Sequence, residues 1–401
     1  MAFGRWWRGV LTIVFVSGAV VVGAPASADT SDDSTLPAGR VQVTGAGADD
    51  ADRRAAEIVA QMSLDDKAAS VVMGHIAGTS PDALRAYMSE TDIGGFILMG
   101  ANIPASESAL REITAALTLD PAFPPLIAVD QEGGVVSRLP WDDFPSSRTL
   151  KYEPTDATAL AFAGRAALVQ RAGISVNFGI VADVTPDTSM FIYTRELGTT
   201  PDAAAERVAA AVTGEGSEVF STLKHFPGHG AAPGDSHAGI PETGESYAEW
   251  ASSDALPFAA GIDAGAPLLM FGHLRYTAVD SAPASLSAEW HRIAREDLGF
   301  EGVAITDDLG MLEASGLPEY RDPVANAVAA LAAGNDMVLT ILYSDRDTAG
   351  RITAGIAAAV ENGQLTQERL DEAATRVAAL RLDAAAEGPG LAPCPECAPV
   401  G

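Results

Sequence analysis

The sequence predicts an α/β protein with the architecture of a (β/α)8 barrel of the TIM type, built as a single domain. Eight short apolar runs rich in Val, Ile, Leu and Phe recur along the chain. Runs of this composition are typical of strands that are buried on both faces in a parallel sheet. Ala-rich segments with the period of a helix lie between the runs, so strand and helix alternate. An open, doubly wound sheet is the alternative architecture.

Each of the eight runs is five to eight residues long and nearly continuous in apolarity. In chain order they are SVVMG (70–74), GFILM (95–99), LIAVD (126–130), SVNFG (175–179), VFSTLKHF (219–226), LLMFGH (268–273), GVAITD (302–307) and MVLTIL (337–342). Two of the helical segments between them are PDAAAERVAAAVTGEG (201–216) and PVANAVAALAAGN (323–335). A closed barrel of eight strands would include all eight runs.

The N-terminus has the pattern of an export signal peptide over residues 1–28. Arg5 and Arg8 precede an apolar run over 10–22, and the sequence APASA then offers a cleavage site after Ala28. The run is shorter than the roughly 20 residues that a membrane-spanning helix needs. We therefore expect an exported protein, secreted or associated with the cell envelope. An uncleaved membrane anchor is the alternative.

Two segments of biased composition flank the predicted barrel, which we place at residues 51–385. Residues 29–50 are rich in Asp, Thr, Ser and Gly and are interpreted as a flexible linker. Residues 386–401 are rich in Pro and Gly and are interpreted as an irregular tail. This tail carries the only cysteines, Cys394 and Cys397. A local disulfide in an oxidising compartment is the favoured state, since one CxxC is only half of a zinc site.

The charge balance argues against two classes of partner. The chain has 25 basic and 54 acidic residues, a net charge of −29. Such a protein repels phosphate backbones and anionic lipid headgroups, so we expect no nucleic-acid partner and no membrane binding after signal cleavage. The acidic excess is interpreted as a solvated surface. We also expect a monomer that uses no cofactor.

Polar residues follow several of the predicted strands at the point where each strand ends. Asp130, Lys224, His225, His273 and Asp307 all lie at or just past such an end. Because the loops at the C-terminal ends of barrel strands build the active site, these side chains are expected to converge on one mouth. Asp307 is either a reacting carboxylate or a helix cap. The next residue, Asp308, is expected to face the other way and to cap the following helix or brace Asp307.

The stretch LKHFPGHGAAPGDSHAGIP (223–241) contains three of the six histidines. Asp235 precedes His237 by two residues, so its carboxylate can hold one imidazole nitrogen and raise the pKa of His237. Such a pair provides a proton donor near neutral pH. A polar surface loop is one alternative. A zinc site formed by His225, His229, Asp235 and His237 is another, disfavoured because the loop lacks the helical HExxH arrangement.

The motifs together resemble a known family. KHFPGHG followed by DSH and, downstream, by TDDLGM is similar to the β-N-acetylhexosaminidases of glycoside hydrolase family 3. The segments MSLDDKAASVVM, AVDQEGGVVSRL, NFGIVADV and PASLS extend the resemblance over about residues 51–382. It implies a retaining glycosidase that acts on a carbohydrate through a covalent glycosyl-enzyme intermediate. The family motif also implies a role for each matching residue.

By this resemblance Asp307 is the nucleophile, His237 the general acid/base and Asp235 the residue that orients His237. The expected sugar-binding residues are Asp130, Arg138, Arg195, Lys224 and His225. A second rank of candidates comprises His273, Asp308 and Met311, and no metal ligand is expected.

The chain departs from the family pattern at Val135, where Arg is common. It also departs after Arg195, where ELGTTPD stands in place of Ser and an aromatic residue. We further expect a member with no second domain after the barrel, a bracing role for His229 and a surface position for His291. The implied activity is that of an exported exo-β-N-acetylglucosaminidase acting on peptidoglycan fragments or, less favoured, on chitin oligosaccharides. A phosphorylase, a β-glucosidase and a non-enzymatic cell-wall binding protein are the alternatives.

Overall fold

Each of the eight apolar runs forms one strand of a closed parallel barrel in the computed structural model of the protein, which confirms the predicted (β/α)8 fold. Every strand pairs with its neighbour in chain order, and the last strand pairs with the first. The strands are β1 Val72–Gly74, β2 Gly95–Leu98, β3 Leu126–Val129, β4 Val176–Val181, β5 Phe220–Phe226, β6 Leu268–Phe271, β7 Val303–Asp308 and β8 Met337–Leu339.

The structure describes residues 45–387. The predicted signal peptide, most of the predicted linker, and the tail from residue 388 with Cys394 and Cys397 lie outside the described residues. The first helix begins at Gly45, so the last part of the segment interpreted as a linker is helical. No helix within the described part of the chain is long and apolar enough to cross a membrane.

Helices surround the barrel and follow the local signals of the sequence. Ser80, Ser106 and Thr200 each accept a hydrogen bond from the N–H of the residue three positions later and so cap a helix. Pro81 and Pro201 occupy the first helical position, where the missing N–H costs nothing. The helices are α1 Gly45–Val59, α2 Leu64–Ser70, α3 Pro81–Thr91, α4 Glu107–Leu117, α5 Ser147–Leu150, α6 Thr155–Arg171, α7 Pro201–Glu215, α8 Tyr247–Ala251, α9 Ala255–Asp263, α10 Ala288–Arg292, α11 Leu309–Ala314, α12 Pro323–Ala333, α13 Thr348–Glu361 and α14 Gln367–Glu387.

The barrel interior is a packed core. On β3, Leu126 and Ala128 belong to the inner cluster, whereas Ile127 and Val129 pack against the helices, as the alternation of a strand requires. Helix α14 adds Val377 and neighbouring apolar side chains to the inner cluster. Because the interior is filled, substrate has access only to the loops at the ends of the strands.

Candidate active site

The C-terminal ends of β3 to β7 bring most of the predicted site residues together. The strand ends and the residues just beyond them supply the following side chains: Asp130 and Glu132 after β3, Asp183 after β4, Lys224 and His225 on β5, His273 after β6, and Asp307 and Asp308 on β7. Glu132 and Asp183 were not predicted from the sequence. The convergence on one mouth that the sequence indicated is therefore observed, with two additional carboxylates in it.

Lys224 is the central cation of the mouth. Its Nζ lies 2.9 Å from Asp130 Oδ1 and 2.7 Å from Glu132 Oε1, and only 3% of its side chain is exposed. Burial alone would lower the pKa of Lys224, but the two carboxylates hold that pKa above its usual value. Burial likewise opposes ionisation of Asp130 and Glu132, yet Lys224 keeps the pKa of both carboxyl groups below the usual range. All three groups are therefore charged.

Two arginines extend this network. Arg195 donates from Nε and Nη2 to the two carboxylate oxygens of Glu132, at 3.0 and 2.8 Å. Arg138 Nη2 donates to Asp130 Oδ2 at 3.2 Å. The unusual sequence after Arg195 thus does not remove it from the mouth. The three cations therefore share two carboxylates, and every charged group of the network has a partner before a sugar enters.

Asp183 holds His225 and the start of the His-rich loop. Its Oδ2 lies 2.7 Å from His225 Nδ1, and its Oδ1 accepts from the backbone N–H groups of His225 and His229 at 3.1 and 2.6 Å. Asp183 is fully buried. Burial would raise its pKa, but the neighbouring His225 holds the pKa below its usual value. A carboxylate acceptor at Nδ1 places the proton there and directs Nε2 toward the mouth as an acceptor.

Large aromatic side chains fix the turn that follows. Trp250 Nε1 donates to the carbonyl of Pro227 at 2.8 Å, and the hydroxyl of Tyr276 donates to the carbonyl of Gly228 at 2.7 Å. Gly228 has φ of 137°, and a Cβ there would lie 3.1 Å from the side chain of Asp254. Only glycine tolerates both the positive φ and the close approach to Asp254. The turn therefore carries the loop toward the mouth along a fixed path.

His229 is buried against the ring of Phe191, with ring centroids 4.7 Å apart. Neither imidazole nitrogen has a hydrogen-bond partner among the described residues. Burial is the largest cause that lowers the pKa of His229 to about 4, so the ring is neutral. Its backbone N–H, held by Asp183, contributes to the bracing of the loop that the sequence analysis expected.

Asp307 and Asp308 occupy the end of β7 and face different surroundings. The pKa of Asp307 is lowered; burial opposes this shift, and the His225 and His273 rings favour the carboxylate. The carboxylate of Asp308 accepts from the N–H groups of Gly310, Ile341 and Leu342 at 3.0, 2.8 and 2.9 Å. Asp308 therefore caps α11 and ties the β8 loop to β7, while Asp307 remains partly exposed at the mouth.

Replacing Asp308 with alanine is expected to lower the free energy of unfolding by about 2–4 kcal/mol, because three backbone N–H groups lose a charged acceptor. Urea denaturation of the variant measures the loss. Asp307→Ala is the matched control, since Asp307 accepts a single backbone hydrogen bond from Asp308. Equal losses in the two variants would contradict the assignment of Asp308 as the structural member of the pair.

His273 is buried and contacts the end of β7. His273 Nε2 is 2.8 Å from the carbonyl oxygen of Asp308, and Nδ1 is 2.7 Å from Ser285 Oγ. Because a carbonyl only accepts, Nε2 carries the proton and Nδ1 accepts from the serine hydroxyl. Burial lowers the pKa of His273. Met311 is buried in α11. His273 is thus a brace for the end of β7.

Asp235 and His237 form the predicted pair on the exposed part of their loop. Asp235 Oδ1 accepts from the backbone N–H of His237 at 3.0 Å and lies 2.7 Å from His237 Nδ1. The side chains are 49% and 64% exposed. Burial opposes ionisation of Asp235, but its contacts with His237 lower the pKa. Within the described residues no hydrogen bond joins the pair to Asp307. The same residues contain no group of three or more His, Cys, Asp or Glu side chains arranged to hold a metal ion.

The expectation that His291 lies at the surface is wrong. His291 is buried and stacks on the ring of Phe271 with centroids 3.9 Å apart. Its Nδ1 lies 2.7 Å from the carbonyl of Ser287. Helix α10 turns this face toward β6, so its histidine belongs to the core.

A second buried network, which the sequence analysis missed, fixes the backbone next to Asp130. Asn177 Oδ1 accepts from Gln131 N at 3.0 Å, and Asn177 Nδ2 donates to Gln131 O at 3.1 Å and to Glu215 Oε1 at 2.6 Å. Burial is the largest cause that raises the pKa of Glu215 to about 7. Asn177 lies on the face of β4 opposite Val176 and Phe178, toward the helices, and no local signal in the sequence reveals its partner on α7.

This raised pKa predicts a pH-dependent stability. Glu215 is protonated in the folded protein below about pH 7 and ionises near pH 4.5 when unfolded. Stability from Glu215 is therefore full below pH 4.5 and is lost as the pH rises toward 7. Glu215→Gln removes the titration. The melting temperature of the variant minus that of wild type is therefore expected to be larger at pH 8 than at pH 5. A difference that is independent of pH would contradict this role.

Comparison with known proteins yields one family. Residues 63–380 match the model described as "Glycosyl hydrolase family 3 N terminal domain". A β-hexosaminidase of Chromobacterium violaceum is 39% identical over 286 residues, which cover 67% of this chain and 77% of that protein. A β-hexosaminidase of Pseudomonas aeruginosa is 37% identical over 275 residues, with 66% and 79% covered.

A solved structure agrees with these relatives. The glycoside hydrolase family 3 β-N-acetylglucosaminidase from Paenibacillus sp. FPU-7 superposes with a TM-score of 0.76 at 29% identity. The match covers 83% of this chain and 64% of that one, so this chain spans less than two thirds of the solved protein. The similarity therefore concerns the barrel that contains the mouth described above.

Proposed function

The chain belongs to the family 3 glycosyl hydrolases, and we propose that it is an exported exo-acting β-N-acetylglucosaminidase. The observation that carries the proposal is the ionised carboxylate of Asp307 at the mouth, next to a network of three cations and two carboxylates. A carboxylate in this state is a nucleophile. The surrounding donors and acceptors suit the hydroxyl groups of a single terminal sugar, which fits exo action.

In the proposed reaction Asp307 attacks the anomeric carbon as the bond to the leaving oxygen breaks. His237 donates its Nε2 proton to that oxygen, and the sugar is left as an ester of Asp307. Neutral His237 then takes a proton from water, the resulting hydroxide attacks the anomeric carbon, and Asp307 is released. Two displacements retain the anomeric configuration. Asp235, bound at Nδ1 of His237, stabilises the imidazolium present before the first step and after the second.

The remaining mouth residues are proposed to bind the sugar. Asp130, Lys224 and Arg138 present charged groups whose positions are already set by their mutual contacts. His225 offers Nε2, and Arg195 borders it at 3.4 Å. A site built from such paired groups rejects a sugar that lacks the matching hydroxyl or amide, because the site's own groups would remain unpaired. Selectivity for the N-acetyl sugar is inferred from the names of the relatives.

Water is favoured over phosphate as the acceptor. Lys224, Arg138 and Arg195 share the carboxylates of Asp130 and Glu132, and Asp307 supplies a third negative charge. A phosphate dianion entering the mouth would meet no net positive charge from these six groups, and each of the three cations already has a carboxylate partner. The hydrolase is therefore proposed ahead of the phosphorylase.

The proposal is tested by release of 4-nitrophenol from its N-acetyl-β-glucosaminide and from its β-glucoside, with and without phosphate. We expect cleavage of the first substrate without phosphate. A requirement for phosphate would indicate a phosphorylase, and preference for the glucoside would remove the N-acetyl assignment. A folded protein that cleaves neither would favour a binding function.

Reducing-end analysis of digested peptidoglycan fragments then tests the natural substrate. Sequencing of the mature protein tests export, and an N-terminus at Asp29 would support it.

Replacing His237 with alanine is expected to reduce kcat about 10²–10⁴-fold on disaccharides, because no group protonates the leaving oxygen. The loss is expected to be smaller with 4-nitrophenol, which leaves without a proton. Asp235→Asn is the graded control, with a smaller loss, because the amide still accepts from the backbone N–H of His237 but no longer stabilises the imidazolium. Equal losses with good and poor leaving groups would contradict the role of His237.

A further inference from the structure

Two tyrosines meet on the catalytic face of the barrel, outside the charged network described above. Tyr152 follows α5 in the long loop after β3, and Tyr193 lies in the loop after β4, within the short turn Phe191–Thr194. Their hydroxyl oxygens are 2.9 Å apart. Tyr152 is 67% exposed, and Tyr193 is half-buried. Because both loops leave the C-terminal ends of their strands, the pair lies at the end of the barrel that contains the mouth.

A buried lysine fixes this tyrosine pair. Lys151 Nζ lies 4.0 Å from the ring centroid of Tyr193, and it donates to the carbonyl of Tyr193 and, at 3.0 Å, to Glu196 Oε1. The side chains of Lys151 and Glu196 are both 0% exposed. The other carboxylate oxygen of Glu196 accepts from Thr185 N at 2.8 Å, which closes the loop after β4 on itself. Burial of an ammonium group is costly unless several partners satisfy it, so this anchor holds the ring of Tyr193 in one place.

The turn that carries Tyr193 also contacts residues of the proposed reaction. Arg195 directly follows the turn, and its Nη2 lies 3.4 Å from His225 Nε2. Phe191, the first residue of the turn, packs on His229, from which the His-rich loop continues to His237. In the proposed reaction His237 protonates the leaving oxygen, so the leaving group faces the loop that carries His237. The tyrosine pair therefore borders the side of the mouth on which the leaving group departs.

We propose that Tyr152 and Tyr193 form a subsite for the leaving group, and that this leaving group is a second pyranose. The proposal rests on the proposed function, because it needs a terminal sugar held in the mouth. The C–H face of a pyranose is apolar and packs on an aromatic ring, while the hydroxyl groups of the sugar reach the phenolic oxygens at the ring edge. Tyrosine provides this contact with few rotatable bonds to immobilise. The preferred substrates are therefore oligosaccharides and not glycosides of small alcohols.

The subsite is tested with two substrates that share the terminal sugar and differ in the leaving group. N,N′-diacetylchitobiose releases a pyranose, whereas N-acetyl-β-glucosaminyl fluoride releases a single atom that does not extend beyond the mouth. Tyr152→Ala is expected to lower kcat/KM for the disaccharide about 5–20-fold, mainly through KM, and to change kcat/KM for the fluoride less than about two-fold. Tyr152→Phe keeps the ring and is expected to remain within about three-fold of wild type on both substrates.

Tyr343→Ala is the matched control. Tyr343 is 66% exposed in the loop after β8, on the same face but on the opposite side of the barrel from β4. We expect this variant to change kcat/KM for the disaccharide less than about two-fold. Equal losses in Tyr152→Ala and Tyr343→Ala, equal losses on the two substrates, or no loss at all would overturn the subsite and leave the hydrolase proposal intact. Wild-type protein that cleaves neither substrate would remove the proposed function and the subsite with it.

Transfer to an added sugar provides a readout that a merely structural role of Tyr152 would not change. A pyranose that departs through the subsite can also enter through it and replace water in the second step. Its hydroxyl then gives a proton to His237, the oxygen bonds to the anomeric carbon, and the bond to Asp307 breaks. With the fluoride as donor and free N-acetylglucosamine as acceptor, the ratio of disaccharide to hydrolysis product is expected to fall about 5–20-fold in Tyr152→Ala. An unchanged ratio would overturn the subsite.

Discussion

Asp307→Ala is expected to lower kcat/KM for the N-acetyl-β-glucosaminide by at least about 10⁴-fold while the protein remains folded. The reason is that, in the proposed mechanism, Asp307 supplies the electron pair that forms the bond to the anomeric carbon. Its side chain accepts a single backbone hydrogen bond, from Asp308, so little of the fold depends on it. Steady-state kinetics together with urea denaturation of the same preparation measure both quantities.

Azide provides the positive control for this variant. Alanine leaves a space on the face of the sugar from which Asp307 attacks, and a small anion can occupy that space. We expect azide to attack the anomeric carbon of the nitrophenyl substrate, releasing nitrophenolate and forming a glycosyl azide of inverted configuration. Recovery of that product identifies Asp307 as the nucleophile. A variant that keeps more than a hundredth of wild-type activity without azide would contradict the assignment.

The sequence was sufficient to predict the barrel because each strand is buried on both faces and therefore apolar almost throughout. The eight runs differ from the observed strands by only a few residues, as for GFILM (95–99) against Gly95–Leu98. The residues of the mouth could be predicted for the same reason, since Asp130, Lys224 and Asp307 lie at or near the ends of such runs. The rule needs only local information, and the closed topology then brings the strand ends together.

The missed residues depend on contacts that the chain makes far from its local sequence. Glu132 lies two residues past the predicted end of β3. Its contacts are with Lys224 of β5 and with Arg195, which lies in the loop between β4 and α7. Asp183 lies two residues past β4 and acts through His225. Extending the search four residues beyond each predicted run would have found both. The burial of His291 has no such signal, because only the packing of α10 on β6 decides it.

The exposed position of the Asp235 and His237 pair shows a different limit. The spacing of the two residues was enough to predict their contact, since two residues apart on a turn the carboxylate reaches both the backbone N–H and Nδ1. The placement of the pair relative to Asp307 depends on the path of the whole loop. That path is set by Trp250 and Tyr276, which hold Pro227 and Gly228 from distant elements.

Lys224→Met is expected to lower the free energy of unfolding by about 3–5 kcal/mol, because it leaves two carboxylates buried without their shared cation. Lys224 is 3% exposed, and its partner Glu132 is 1% exposed. Methionine has a side chain of length similar to that of lysine, so the loss of stability reflects the missing charge and not a change in side-chain volume. The variant is also expected to raise KM, because Asp130 loses the contact that positions it. Urea denaturation and substrate saturation curves measure the two effects.

The double variant Lys224→Met with Glu132→Gln separates charge balance from packing. It removes one charge of each sign, so we expect it to be more stable than the sum of the two single changes predicts, by at least about 1 kcal/mol. Activity is expected to stay low in the double variant, because Arg195 has lost the carboxylate of Glu132 and Asp130 keeps only its contact with Arg138. Strict additivity would mean that the two side chains contribute independently. Recovered stability without recovered activity would show that the network exists to position the sugar-binding groups, since the fold tolerates its removal.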